Sequence, residues 1–119
     1  MHVNAITRHA VADNDTFIEV DCEHGMVPVA IASSAAVWVP ATFTLQLQDP
    51  WSGLPGATAG AFRDTDDAAV TLVDDKWTTI PEAMGRKIAA VQTFRILFNT
   101  AETGGPVTAY IAWTPLGGA

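Results

Sequence analysis

Residues 37–48 read Val-Trp-Val-Pro-Ala-Thr-Phe-Thr-Leu-Gln-Leu-Gln, with apolar side chains at every second position: Val37, Val39, Ala41, Phe43, Leu45 and Leu47. Period two is the spacing at which side chains of a β-strand share one face. The stretch therefore predicts a strand with one dry face and with Trp38 on the opposite face. Pro40 has no amide hydrogen to give to a ladder, which predicts a bend or a sheet edge there and two shorter elements in place of one long strand.

The same alternation continues outward in both directions. Residues 16–22 set Ile18, Val20 and Cys22 against Phe17, Glu19 and Asp21, and residues 26–32 are β-rich after Glu23-His24-Gly25, a combination that predicts a hairpin. Downstream, Val70 and Leu72, then Phe94, Ile96 and Phe98, then Val107, Ala109, Ile111 and Trp113 mark three more strands. Between them lie turn-rich segments at 49–56, 63–67 and 102–106. Only residues 81–90 suggest a helix, held to one or two turns by Gly85. The expected fold is all-β, a single antiparallel β-sandwich, jelly-roll-like, with Phe43, Leu45, Val70, Leu72, Phe94, Ile96 and Ile111 in its core. Residues 16–113 form the domain. Residues 1–15 and 114–119 show no core-forming pattern and are expected as an extended N-terminal arm and a C-terminal tail, ordered by neighbouring chains.

A chain of 119 residues suits one domain. Thirteen acidic residues against six basic ones give a formal net charge of −7, and Arg8, Arg63, Lys76, Arg86, Lys87 and Arg95 form no tract. Such a chain is repelled by phosphate backbones, so nucleic acid is excluded as a partner. No stretch approaches the ~18 apolar residues of a membrane span, and the polar residues near Arg8 do not read as a signal peptide. The lone Cys22 cannot form an intramolecular disulfide.

Side chains that could carry chemistry fall short of known patterns. His2, His9 and His24, with Cys22 two residues from His24, invite a metal or acid–base reading, yet zinc wants four ligands in spaced pairs. A hairpin turn with a half-buried thiol is the expected outcome. Asp64, Asp66 and Asp67, with Asp13 and Asp15 elsewhere, could offer oxygens to calcium, but counting from Asp64 places Ala69 where an EF-hand needs glycine and Asp75 where it needs glutamate. These aspartates are expected to be solvated. Ser33 and Ser34 lie in no nucleophile elbow, and no glycine loop follows a strand to cradle phosphate. No catalytic residue, cofactor or metal is expected. The aromatics are more informative: Phe17 and Trp38 oppose the dry faces of their strands and Trp51 sits in a Pro/Gly-rich loop. They anchor a protein partner, or stack on sugars, or are covered within the monomer.

Four segments occur in an order that resembles a class of small β-sandwich structural proteins of tailed bacteriophages: Val39-Pro40-Ala41-Thr42-Phe43, Leu45-Gln46-Leu47-Gln48-Asp49, Thr78-Thr79-Ile80-Pro81 and Thr93-Phe94-Arg95-Ile96-Leu97. The resemblance spans residues 37–113. The chain departs from it at Asp49-Pro50-Trp51-Ser52-Gly53, a longer loop than the class carries. The resemblance implies a virion component assembled in the host cytoplasm: a capsid decoration or cement protein, or an accessory virion protein, without catalytic residues. Its implied partners are other virion proteins, the major capsid protein first, and further copies of itself, as a homotrimer. The alternative is a head or tail fibre module that binds a receptor or carbohydrate; a small hydrolase has least support.

Overall fold

A computed structural model of the chain describes residues 5–49 and 61–116. Its strands are β1 (Ala5–Val11), β2 (Asp15–Asp21), β3 (Met26–Ser33), β4 (Thr42–Gln48), β5 (Phe62–Asp64), β6 (Val70–Thr71), β7 (Thr78–Thr79), β8 (Thr93–Glu102) and β9 (Val107–Pro115), with one helix, α1 (Glu82–Ala89), before β8. They form two antiparallel sheets, one in the order β1-β9-β3-β7 and the other in the order β2-β8-β4-β5, with β6 also on β4. The all-β sandwich expected from the alternation is what the chain forms.

The core lies between the sheets. Phe43, Phe94, Ile96 and Ile111 are fully buried, Leu45 nearly so, Leu72 is buried and Val70 packs partly against them. Trp113 meets Phe94 edge-on with ring centroids 6.2 Å apart. The helix begins after Pro81, carries Glu82 in its first turn and Arg86 and Lys87 in its last, as the helix dipole favours, and buries Met84, Gly85 and Ile88. Gly85 lies so near β3 that a Cβ there would sit 2.9 Å from the Pro28 carbonyl oxygen.

Four expectations are corrected. Residues 5–11 are not an arm: β1 pairs with β9 from Ala5↔Trp113 to Val11↔Val107, and Val11 has no exposed surface. Its pattern is hidden because its inward positions include Thr7 and His9, held by a relay in which the Trp113 indole N–H donates to Thr7 Oγ1 at 2.8 Å and Thr7 Oγ1 lies 2.7 Å from His9 Nε2. Nor are Thr114 and Pro115 tail residues; they complete β9 opposite Val27 and Met26. The strands at 16–22 and 26–32 do not form a hairpin, since β2 joins β8 in one sheet and β3 joins β9 in the other. The Glu23-His24-Gly25 turn carries the chain between sheets, with Gly25 at a φ of 74° and its carbonyl taken by the Leu116 amide.

The fourth correction concerns Trp38, which is only 5 % exposed and packs on Phe98 with centroids 5.9 Å apart. Pro40 is buried beside it, while Val37 and Val39 face outward. The alternation changes phase between Pro40 and Phe43, at the bend the proline predicts. Side chains stand in for the ladder there: Asn99 Oδ1 accepts the amides of Ala41 and Thr42, and Asp74 Oδ1 accepts that of Trp38.

Candidate interaction surfaces

The outer face of the β1-β9-β3-β7 sheet carries an apolar trough. Register sets Ile6 opposite Ala112 and Ala112 opposite Ala30, so two small residues make a floor. Ile6, 55 % exposed, rises on one side and Trp77, 46 % exposed, on the other. A register shift in β3 between Pro28 and Ala30 accompanies the outward exposure of Val29, as a bulge re-aims a side chain. The resulting groove, about 550 Å³, runs past Val29 and Thr114 into a second of about 700 Å³ between β3, the end of β9 and α1. Val27, Pro28 and Leu116 line the second, with the Glu82–Arg86 ion pair at its rim. Close approach of α1 at Gly85 shapes that wall.

A smaller polar pocket opens beyond Trp77, lined by Ser33, Ser34, Trp38, Asp75 and Lys76 among others. Its serines already have structural roles: Ser33 Oγ accepts the Ala35 amide and Ser34 Oγ that of Thr108.

On the outer face of the other sheet, the Arg95 guanidinium lies between Phe17, 4.5 Å from its ring centroid, and Phe62, at 3.8 Å. Arg95 also pairs with Glu19 at 3.1 Å. Phe17 is thus exposed as expected, at 38 %, but one ring face is occupied by the cation. Trp38 belongs to the core and does not share a surface with Phe17, and Trp51 lies outside the described residues. Trp77, Ile6 and Val29 were not among them. Trp77 follows the polar run Asp74-Asp75-Lys76, and a lone aromatic after such a run is the only signal of it in sequence.

The other candidate side chains are spread apart. The Cys22 thiol donates to the Ile88 carbonyl at 3.2 Å, and burial, helped by the Asp21 carboxylate, pushes its pKa up to about 11. Burial lowers the pKa of His9, against a smaller opposite pull from Glu23. His2 lies outside the described residues, and among those described no three His, Cys, Asp or Glu side chains gather as metal ligands do. Asp66 and Asp67 converge on Lys87 Nζ at 2.8 and 3.0 Å, a pairing that lowers the pKa of Asp66 and raises that of Lys87. Asp66 is well solvated, but Asp67 is mostly covered. Asp64 accepts from Gln46 Nε2, Asp15 from the Ala12 amide and Asp13 from the Gly105 amide. No described helix is long and apolar enough to cross a membrane.

No family model, curated protein or solved structure matches the chain.

Proposed function

We propose that this chain is a structural protein of a tailed-bacteriophage particle, a capsid decoration or accessory virion protein that binds the head through the trough of the β1-β9-β3-β7 sheet. The observation that carries this reading is the trough itself: Ile6, Val29, Trp77 and Leu116 leave large apolar surface in water beside a floor of alanines. Contiguous exposed apolar surface of this kind marks interaction sites, and a tryptophan anchor contributes ~2 kcal/mol or more when a partner buries it. A particle repeats one surface many times, so a modest contact made by an oligomer is multiplied by avidity. Strand order supports the finer fold reading. Sheets running β1-β9-β3-β7 and β2-β8-β4-β5, with the chain crossing between them at each step except from β4 to β6, support a jelly-roll reading, an architecture used by viral capsid and lectin domains.

Gold-labelled antibody against the chain, applied to purified virions from the lysate that contains it, tests this reading. Regularly spaced label on heads is the expected result, and a Trp77→Asp variant should fold normally but lose occupancy. Label absent from every particle would refute the proposal. A second reading, carbohydrate binding, draws on the polar pocket, where Asp75 and Lys76 lie beside the exposed Trp77 ring. A glycan array separates the two: specific, Trp77-dependent signals favour the sugar reading and a blank array favours the particle.

A further inference from the structure

We infer that two copies of this chain pair across a two-fold axis parallel to the strands, β1 of each joining antiparallel to β2 of the other. This contact is between copies of the chain and needs no particle, so it goes beyond the virion reading. It is two-fold, unlike the threefold assembly expected from the phage resemblance.

Among the described residues β1 and β2 end their sheets, and they lie on the same side of the sandwich, joined through the turn at 12–14. The hydrogen bonds fix which of their backbone groups face outward. The Cys22 amide donates to the Gln92 carbonyl on the β8 side. Neighbouring residues of a strand direct their backbone groups to opposite sides, so Ile18 and Val20 bond to β8 while Phe17, Glu19 and Asp21 point to the open edge. On β9 the Thr108 carbonyl accepts from Ser34, on the β3 side. Ala109 and Ile111 therefore bond to His9 and Thr7, which leaves Ile6, Arg8 and Ala10 directed to the other open edge.

Charge selects the pairing. Along β2 stand Asp15, Glu19 and Asp21, whereas Arg8 is the one Lys or Arg of β1 and that strand has no acid. Joining two β2 edges would set carboxylates against carboxylates, which destabilises a ladder, while joining β1 to β2 sets Arg8 against acid. Symmetry then fixes the register. A two-fold axis along the strands has no translation, so β1 meets the second copy's β2 at the height of its own. That height is set by the turn in which the Asp15 amide bonds the Ala12 carbonyl at 3.0 Å. Counting away from Ala12 and Asp15 opposes Ala10 to Phe17, Arg8 to Glu19 and Ile6 to Asp21. These are the same six residues whose backbone groups the hydrogen bonds leave at the edges, so the ladder is in phase, with the exposed Ile6 and Phe17 flanking the seam on its outer face.

Sedimentation equilibrium of the full chain tests this first: the expected mass is twice 12.6 kDa. Arg8→Glu alone, or Glu19→Lys alone, places like charges together at both contacts and should weaken self-association roughly 10- to 100-fold. Mixing the two variants restores dimerisation, because the introduced glutamate meets the introduced lysine while native Arg8 meets native Glu19. In the wild type, the amides of the six edge residues should exchange more slowly as concentration rises. A monomeric or trimeric wild type, a single variant that associates normally, or a mixture of folded variants that fails to recover would overturn the proposal. Edge amides whose exchange is independent of concentration would overturn it too, even if a variant misfolds. A chain that is monomeric alone and gains a strand only from another protein counts against it in the same way.

Discussion

Replacing Thr7 by Val asks whether β1 is an integral strand or a detachable arm. The Thr7 hydroxyl accepts from the indole N–H of Trp113, a residue 1 % exposed, at 2.8 Å, and is itself 2.7 Å from His9 Nε2. Valine keeps the branched shape and the strand preference of threonine but has no oxygen. The indole N–H is then buried with no acceptor, and a buried donor stripped of its partner costs about 1–3 kcal/mol. For a domain of this length each kcal/mol lowers Tm by roughly 3–6 °C. Urea unfolding followed by circular dichroism measures the loss, with an unchanged m-value showing that the native state stays as compact. Thr7→Ser, which keeps the hydroxyl, should recover most of it. A Thr7→Val protein within about 0.5 kcal/mol of the wild type, inside the range of ordinary surface substitutions, would refute the relay and with it the integral place of β1.

Other expectations follow from single contacts. His9 has a lowered pKa in the native state, so the unfolded chain binds its proton more readily; the stability His9 confers is present above the unfolded value of about 6.5 and is lost as pH falls through it toward the native value. Stability measured from pH 8 to pH 5 should therefore fall, with a smaller slope in His9→Gln; equal slopes would contradict this. Cys22, with its pKa pushed up to about 11, should react with iodoacetamide at pH 8 about 100-fold more slowly than an unburied thiol, and a free-thiol rate would show that the Ile88 contact opens readily. Gly85→Ala gains about 1 kcal/mol of helix preference but drives a Cβ to within 2.9 Å of a backbone oxygen, for which overpacking costs about 1–3 kcal/mol. A net loss in thermal unfolding is expected, and a gain would mean that α1 shifts freely on β3. Calcium should leave Tm unchanged, because the Lys87 ammonium already occupies the Asp66 and Asp67 carboxylates; a rise of several degrees over chelator would reveal a cation site there.

Phe43, Leu45, Phe94, Ile96 and Ile111 were legible in sequence because large apolar side chains at period two have no better place than a sheet's inner face. The turn residues and the proline bend were legible for equally local reasons. β1 was not, since its inward Thr7 and His9 are made compatible with burial by a hydrogen bond from Trp113, over a hundred residues away in sequence. Trp38 was misplaced because a bend that inserts an odd number of residues reverses every later face, and periodicity alone cannot locate the reversal. Adjacent strands in sequence suggested a hairpin, whereas partner choice depends on long-range pairing that alternation does not encode. For the same reason Phe17 was found as an exposed aromatic but the trough was not: its walls, Ile6 and Trp77, come from strands and loops far apart in the chain.

The positions of β8 and β9 bear on how the chain is made. Each is an inner strand, β8 between β2 and β4 and β9 between β1 and β3, yet both are among the last parts of the described chain to leave a ribosome. Until then β1 to β4 have emerged without the neighbours that join them, and neither sheet can close around a nascent chain. Closure of either sheet is therefore expected to wait for β8 and β9, in the slow regime of proteins dominated by non-local strand pairing. Throughout synthesis the early strands present unpaired edges to other polysomes and to chaperones, so the yield of native protein depends on what shields those edges before the final strands arrive.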